Sequence, residues 1–233
     1  MPSPRPPRAE RRLAVVIAAR NEAPRVGTTV EAARAAVGSG DVVVVADGST
    51  DGTPDVARRA GARVLTAPRG VGKGGALEAV LNRLDADVYL LLDGDLGNSA
   101  KGASVLLDAV LGGEADLAIA VLPPEPRHGG FRLVKRFARM AIRALVGFRA
   151  QEPLSGQRAM TREVMEVVRP LAPGYSVEVA MTIDAVRAGF RVVEVPVAME
   201  HRPTGRDLAG FVHRGRQGLA VLRAALPRAV GLR

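Results

Sequence analysis

Two carboxylates separated by one small residue, Asp93-Gly94-Asp95, stand directly after the apolar run Val88–Leu92. Like charges that close repel unless a cation or a shared proton lies between them. Magnesium and manganese are hard ions that take oxygen ligands and bridge carboxylates to phosphates. Asp93 and Asp95 are therefore read as ligands of Mg2+ or Mn2+. Two earlier apolar runs end in comparable groups. Leu13–Ala19 leads into Arg20-Asn21-Glu22, and Val42–Ala46 into Asp47-Gly48-Ser49-Thr50-Asp51-Gly52. Asp, Ser, Thr and Gly also suit turns and helix N-caps, which accounts for the second ending but not for the paired acids of the third.

A glycine-rich segment, Arg69-Gly70-Val71-Gly72-Lys73-Gly74-Gly75, precedes a helical pattern. Its amides and the helix N-terminus could face an anion. It is not a Walker loop, because Gly74 follows Lys73 where Ser or Thr is required. Nor is it a dinucleotide fingerprint, since it follows the third apolar run instead of the first. A flexible loop remains the alternative reading.

The elements that must position these groups follow from periodicity. Apolar runs at Leu13–Ala19, Val42–Ala46, Arg63–Thr66, Asp87–Leu92 and Asp116–Val121 alternate with helical patterns at 23–37, 54–60, 72–84 and 101–111. Strands apolar on both faces and separated by helix-length segments predict an α/β fold, with a mostly parallel central sheet and helices on both faces. Such a sheet presents its chemistry at the carboxyl ends of its strands, where Asn21, Asp47 and Asp93 fall. After the loop 123–130 the pattern is less regular, with one further strand-like run at 191–200.

Composition narrows the field. The chain of 233 residues can bury one substantial core. Without cysteine it has no disulfides or thiolate metal sites, which fits a cytoplasmic location. Residues 1–12 read as a disordered basic tail, and 13–233 as a single domain. No apolar run approaches the ~20 residues needed to span a bilayer. The formal charge of +9 comes almost entirely from arginine, since only Lys73, Lys101 and Lys135 are lysines among 33 basic residues. With aromatics at 3%, base-stacking platforms are poorly supplied, so no nucleic-acid partner is expected and the charge favours anionic small substrates or an anionic membrane surface.

Four runs in order, Ile17–Ala23 (IAARNEA), Val42–Thr53 (VVVVADGSTDGT), Gly72–Leu77 (GKGGAL) and Tyr89–Ser99 (YLLLDGDLGNS), resemble the nucleotide-sugar glycosyltransferases of the GT-A fold, family 2-like. The resemblance implies a nucleotide-sugar-binding half over 13–122, an acceptor half over 123–206 and a basic C-terminal helix over 207–233. It implies that Ala19, Asn21 and Glu22 line the nucleoside pocket and that Asp47, with Gly48, meets the base or ribose. Lys73 would lie near the nucleotide. Asp93-Gly94-Asp95 would be the metal and diphosphate motif, and a cation there would neutralise the departing diphosphate. A histidine just beyond the last strand completes the metal site in similar transferases, which points to His201.

In the second half, Pro153–Glu163 (PLSGQRAMTRE) resembles the Ser-Gly-x-Arg loop of polyprenyl-phosphate sugar transferases, which implies acceptor contacts from Ser155, Gly156 and Arg158. Leu171–Val186 is similar to a stretch of glucosyl-3-phosphoglycerate synthases. Glu178 is thereby the first candidate for a catalytic carboxylate and Asp184 the second; a helix-start carboxylate favoured by the macrodipole is the plainer reading of Glu178. Expected ligands are a nucleoside diphosphate sugar, UDP-glucose by resemblance, and an unidentified acceptor such as phosphoglycerate or polyprenyl phosphate. Inversion and retention both stay open. Finally, Phe131–Phe148 forms an amphipathic pattern with Phe131, Val134, Phe137, Ala141, Leu145 and Phe148 on one face and Arg132, Lys135, Arg136, Arg139 and Arg143 on the other. Core packing, a peripheral membrane contact and a homodimer face remain alternatives. Two competing functions are a sugar nucleotidyltransferase, which would place a glycine-rich loop after the first strand, and a basic module without enzymatic activity that associates with membranes or nucleic acids.

Overall fold

The computed structural model describes residues 10–68, 70–123 and 130–200. Seven strands form one sheet in the order β3-β2-β1-β4-β6-β5-β7. They are β1 (Leu13–Ala19), β2 (Asp41–Ala46), β3 (Arg63–Thr66), β4 (Val88–Asp93), β5 (Leu117–Val121), β6 (Arg158–Thr161) and β7 (Val192–Pro196). All pairings are parallel except those of β6, which runs antiparallel to both β4 and β5. The helices are α1 (Ala23–Val37), α2 (Thr53–Arg59), α3 (Gly72–Leu81), α4 (Ser104–Leu111), α5 (Gly130–Val146), α6 (Arg162–Val168) and α7 (Val177–Arg187).

The near-continuous apolar strands split their side chains between two cores, as a doubly covered sheet requires. Val15, Ile17, Val42, Val44, Leu90 and Leu92 pack with α1 and α4. Val16, Val43, Val45, Tyr89 and Leu91 pack on the opposite face with α3, α6 and α7. A third, smaller cluster joins Val134, Ala138 and Ile142 of α5 to Val179 and Ile183 of α7.

Chain order reverses between β1 and β4. From β1 the chain winds outward through β2 and β3, then returns to place β4 on the other side of β1. A crevice opens at the carboxyl ends where such a reversal occurs, and the endings of β1, β2 and β4 meet there.

The mostly parallel α/β architecture agrees with the sequence reading, which differs from the structure at several elements. Residues 158–161, read as part of a loop, form β6. The segment before α4 is a 3-10 helix over Gly97–Ala103, so α4 starts at Ser104 and not at 101. Helix α3 stops at Leu81, three residues short of the expected end. The last strand is only Val192–Pro196, because its partner β5 ends at Val121, whose carbonyl takes the Val197 amide at 3.0 Å as the final bond of the ladder.

The face of α5 is also corrected. Its buried residues are Val134, Ala138 and Ile142, while Phe137, read as sharing one apolar face with Val134, is 36% exposed. The wheel is rotated because α5 packs on α7 through the four-residue spacing of those three positions.

Candidate active site

The β1–α1 and β2–α2 turns brace each other at the mouth of the crevice. Asn21 adopts a positive φ of 56°, a region Asn tolerates better than most residues. In this pose its Oδ1 accepts the Thr50 amide at 2.9 Å, and its own amide donates to Ser49 Oγ at 3.2 Å. Asp51 accepts from the Ala23 amide at 3.1 Å and from the Thr53 amide at 3.0 Å, tying together the starts of α1 and α2. The hydrogen bond from the Thr53 hydroxyl is the largest influence on the Asp51 carboxyl, and these donors together lower its pKa despite the opposing effect of burial. Thr53 Oγ1 in turn accepts the Glu22 amide at 2.8 Å.

The sequence-predicted groups of these turns therefore divide. Asn21 and the Glu22 backbone build the turn itself. Ala19 is buried under it. Asp47 is half-buried, and its carboxylate has no hydrogen bond or ion pair among the described residues. It stands beside Gly48, whose φ of 61° turns the chain at the end of β2.

Gly94 fits against β1: a Cβ there would lie 2.8 Å from the Ala19 Cβ, and its amide donates to the Ala18 carbonyl at 2.9 Å. Glycine between the two acids thus lets the β4 ending lie flat on the β1 ending.

Four segments converge on Lys73. Its Nζ lies 2.6 Å from Asp93 Oδ1 and 2.9 Å from Glu178 Oε1. Gln157 Nε2 donates to the other Asp93 oxygen, Oδ2, at 3.1 Å. The backbone of Gly156 lies directly over the pair, because a Cβ there would come 2.5 Å from Lys73 Nζ and 2.6 Å from Asp93 Oδ2. Residues contributed by α3, β4, the loop before β6 and the first turn of α7 thus meet at one point. Burial alone would lower the Lys73 pKa, but the charges of Asp93 and Glu178 and their hydrogen bonds outweigh it and raise it above the ordinary lysine value.

Glycines make this meeting geometrically feasible. A Cβ on Gly74 would sit 1.9 Å from the Ala172 carbonyl oxygen, and one on Gly72 would sit 3.1 Å from the Gly174 Cα. The Gly72–Gly75 run therefore lets the backbone of 172–174 rest on α3 and brings Glu178 against Lys73. Close packing, more than a flexible loop, explains those residues. Glu78 strengthens the same junction, receiving Arg169 Nη2 at 2.8 Å and the Leu171 amide at 3.0 Å.

Arg158 departs from its expected acceptor-binding role. It is fully buried at the start of β6. Nε donates to the Ser155 carbonyl at 2.8 Å and Nη1 to Thr182 Oγ1 at 3.0 Å. Burial pushes its guanidinium down to about 10, partly offset by the charges of Glu178 and Glu194. It holds the 153–157 loop from beneath instead of lining its open side. Ser155 is buried in that loop. Asp184 is not brought to the cluster: it lies six residues beyond Glu178, roughly 9 Å along α7 and turned well away from it.

Gln157, which no sequence argument singled out, is the residue missed. The only available signal was its place between Gly156 and Arg158. Asp95 is half-buried at the same strand end, its carbonyl accepting from Arg25 Nη1 at 2.9 Å. His201 lies outside the described residues. Among those residues, no group of three or more His, Cys, Asp or Glu side chains stands together as a metal cage, and no helix is long and apolar enough to cross a membrane.

Comparison with known proteins agrees with this geometry. The model of glycosyl transferase family 2 matches residues 14–167. The chain is 34% identical over 175 residues to glycosyltransferase AglJ of Haloferax volcanii, covering 73% of this chain but only 57% of that protein. It is 32% identical over 249 residues to a glucosyl-3-phosphoglycerate synthase of Mycolicibacterium paratuberculosis, covering 94% of this chain and 74% of the relative. Among solved structures, it is similar to glucosyl-3-phosphoglycerate synthase from Mycobacterium tuberculosis in complex with Mn2+, UDP-glucose and phosphoglyceric acid. The TM-score there is 0.79 at 31% identity, over 95% of this chain and 80% of that one.

Proposed function

This chain belongs to glycosyl transferase family 2, and we propose that it moves a glucosyl group from UDP-glucose onto a small anionic acceptor of the phosphoglycerate type. The observation that carries this reading is the Lys73–Asp93–Glu178 cluster, capped by Gly156 at the carboxyl ends of the strands. The half-buried Asp47 carboxylate supports a role in holding the base or ribose, because it has acceptor capacity that no described residue uses. Asp93, fixed on both oxygens by Lys73 and Gln157, offers a rigid acceptor to sugar hydroxyls. Rigid polar groups of this kind raise rate by holding reactants in place.

The residues fit a divalent cation, since a hard ion that keeps several waters needs only one or two carboxylates beside the substrate phosphates. Asp95 would hold Mg2+ or Mn2+ together with the donor's diphosphate, while Asp93 is engaged by the protein. When bound, the ion neutralises charge on the departing diphosphate. The solved relative with Mn2+, UDP-glucose and phosphoglyceric acid supports the choice of donor and acceptor class.

Glu178 faces the transferred sugar or its acceptor and is held by Lys73 at 2.9 Å. In an inverting transfer it deprotonates the acceptor hydroxyl; in a retaining transfer it orients the acceptor. The test is UDP release from UDP-glucose with Mg2+ or Mn2+ and 3-phosphoglycerate, with the anomeric configuration of the product read by NMR. Acceptor-dependent UDP release supports the proposal. Release with polyprenyl phosphate alone would replace the acceptor class, and pyrophosphate formation from UTP and a sugar phosphate would replace the reaction.

A further inference from the structure

Helix α5 carries two apolar stripes, only one of which has a partner among the described residues. Val134, Ala138 and Ile142 are buried against α7. Leu133, Phe137 and Met140 recur at i, i+4 and i+7 on another face and are 68%, 36% and 58% exposed. A single exposed Leu needs no explanation, but three large apolar side chains aligned along one helix face form a patch.

Charge identifies what fits there. All five charged residues on α5 are basic: Arg132, Lys135, Arg136, Arg139 and Arg143. Two are used within the fold. Lys135 pairs with Glu152, and Arg139 donates to the Gln151 carbonyl. Arg132, Arg136 and Arg143 are exposed and have no ion pair among the described residues. At ~100° per residue they lie along one flank of the Leu133–Met140 stripe.

We infer that this face of α5 docks on an anionic phospholipid bilayer surface, its apolar stripe set in the headgroup boundary and its arginines on the lipid phosphates. An exposed apolar stripe beside an unopposed basic flank has the chemistry of an interfacial helix. A second copy would bring the same arginines against their own kind. Residues 201–233 carry seven arginines against one aspartate, so that segment is equally ill-matched. The inference does not depend on which sugar or acceptor the enzyme uses.

Flotation of the full chain with vesicles tests it. Equal parts phosphatidylglycerol and phosphatidylcholine should carry the protein upward at low salt, while pure phosphatidylcholine should leave most of it behind. Added salt should weaken the binding. Arg136→Gln with Arg143→Gln should lower partitioning roughly thirtyfold, at about 1 kcal/mol per arginine near an anionic surface. Leu133→Gln with Met140→Gln should lower it comparably, with melting temperatures unchanged because all four side chains are exposed. Undiminished binding in both double variants would assign the lipid contact elsewhere and overturn the proposal. Equal binding to neutral vesicles, or none to either kind, would do the same. A wild-type dimer that Leu133→Gln with Met140→Gln converts to a monomer would reassign the stripe to a second copy.

Discussion

Replacing Gly156 by alanine isolates the geometry of the site from its chemistry, because the substitution adds one methyl group and removes nothing. The added Cβ would lie 2.5 Å from Lys73 Nζ and 2.6 Å from Asp93 Oδ2. The lysine is the end of a flexible chain and can retreat. Asp93 cannot do so easily, since its side chain is short, its backbone ends β4, and Gln157 holds the same oxygen. Reaching an ordinary contact of roughly 3.4 Å would move that carboxylate by most of an ångström, and misplacements near 1 Å cost about a hundredfold in rate. The expected loss in kcat/KM is therefore about a hundredfold, or ~2.7 kcal/mol of transition-state stabilisation. Turnover of UDP-glucose measures it. Gly52→Ala serves as the control, because a Cβ at Gly52 meets nothing within 4 Å. Activity of Gly156→Ala within threefold of wild type, in a protein as stable as the control, would refute the claim that this backbone position sets Asp93.

Further outcomes follow from the same geometry. Glu178→Gln preserves shape but removes the charge facing Lys73, and should lower kcat by two to four orders of magnitude if Glu178 is a general base, read by steady-state kinetics with melting temperature as the folding check. Gly74→Ala forces a Cβ to within 1.9 Å of the Ala172 carbonyl oxygen and should cost about 1–3 kcal/mol by overpacking, measured by urea unfolding. Arg158→Ala leaves the Ser155 carbonyl and Thr182 hydroxyl without this donor and should destabilise by roughly 2–4 kcal/mol, with donor turnover falling as the 153–157 loop loosens.

Glu78 gives a pH dependence whose sign is fixed. Burial raises its pKa, but Arg169 and the Leu171 amide outweigh that and hold it below the ordinary 4.5. A depressed folded value stabilises the protein above the unfolded value, and this is lost as pH falls through the folded one. Melting temperature should thus drop on acidification below about pH 4, more steeply in wild type than in Glu78→Gln.

The parallel part of the sheet was readable from sequence because its strands are apolar on both faces, so neither the run Val42–Ala46 nor Val88–Leu92 resembles a helix or a one-sided strand. Strand β6 was not. It is four residues long, begins with a buried arginine, and gains its identity from pairing with β4 and β5, which no local pattern encodes. The acids at the strand ends were legible for the same reason as the strands. Their partners were less so. That Lys73 spans Asp93 and Glu178 depends on α3 and the 172–174 backbone touching through glycines, a contact nearly a hundred residues apart in sequence. Arg158 was misread because the Ser-Gly-x-Arg pattern specifies a residue type without saying which side of the loop the side chain takes. Gln157 lay in the unspecified position of that pattern, and its role exists only once β6 places it beside Asp93.

Melting temperature in the presence of nucleoside diphosphate sugars, each with Mn2+ and again with chelator, tests the central claim most directly. A ligand that binds only the folded chain raises the transition by mass action. The account predicts a clear rise with UDP-glucose and Mn2+ that chelator abolishes and that Asp95→Ala lacks. No rise with any sugar nucleotide, or a rise indifferent to both chelator and Asp95→Ala, would contradict it.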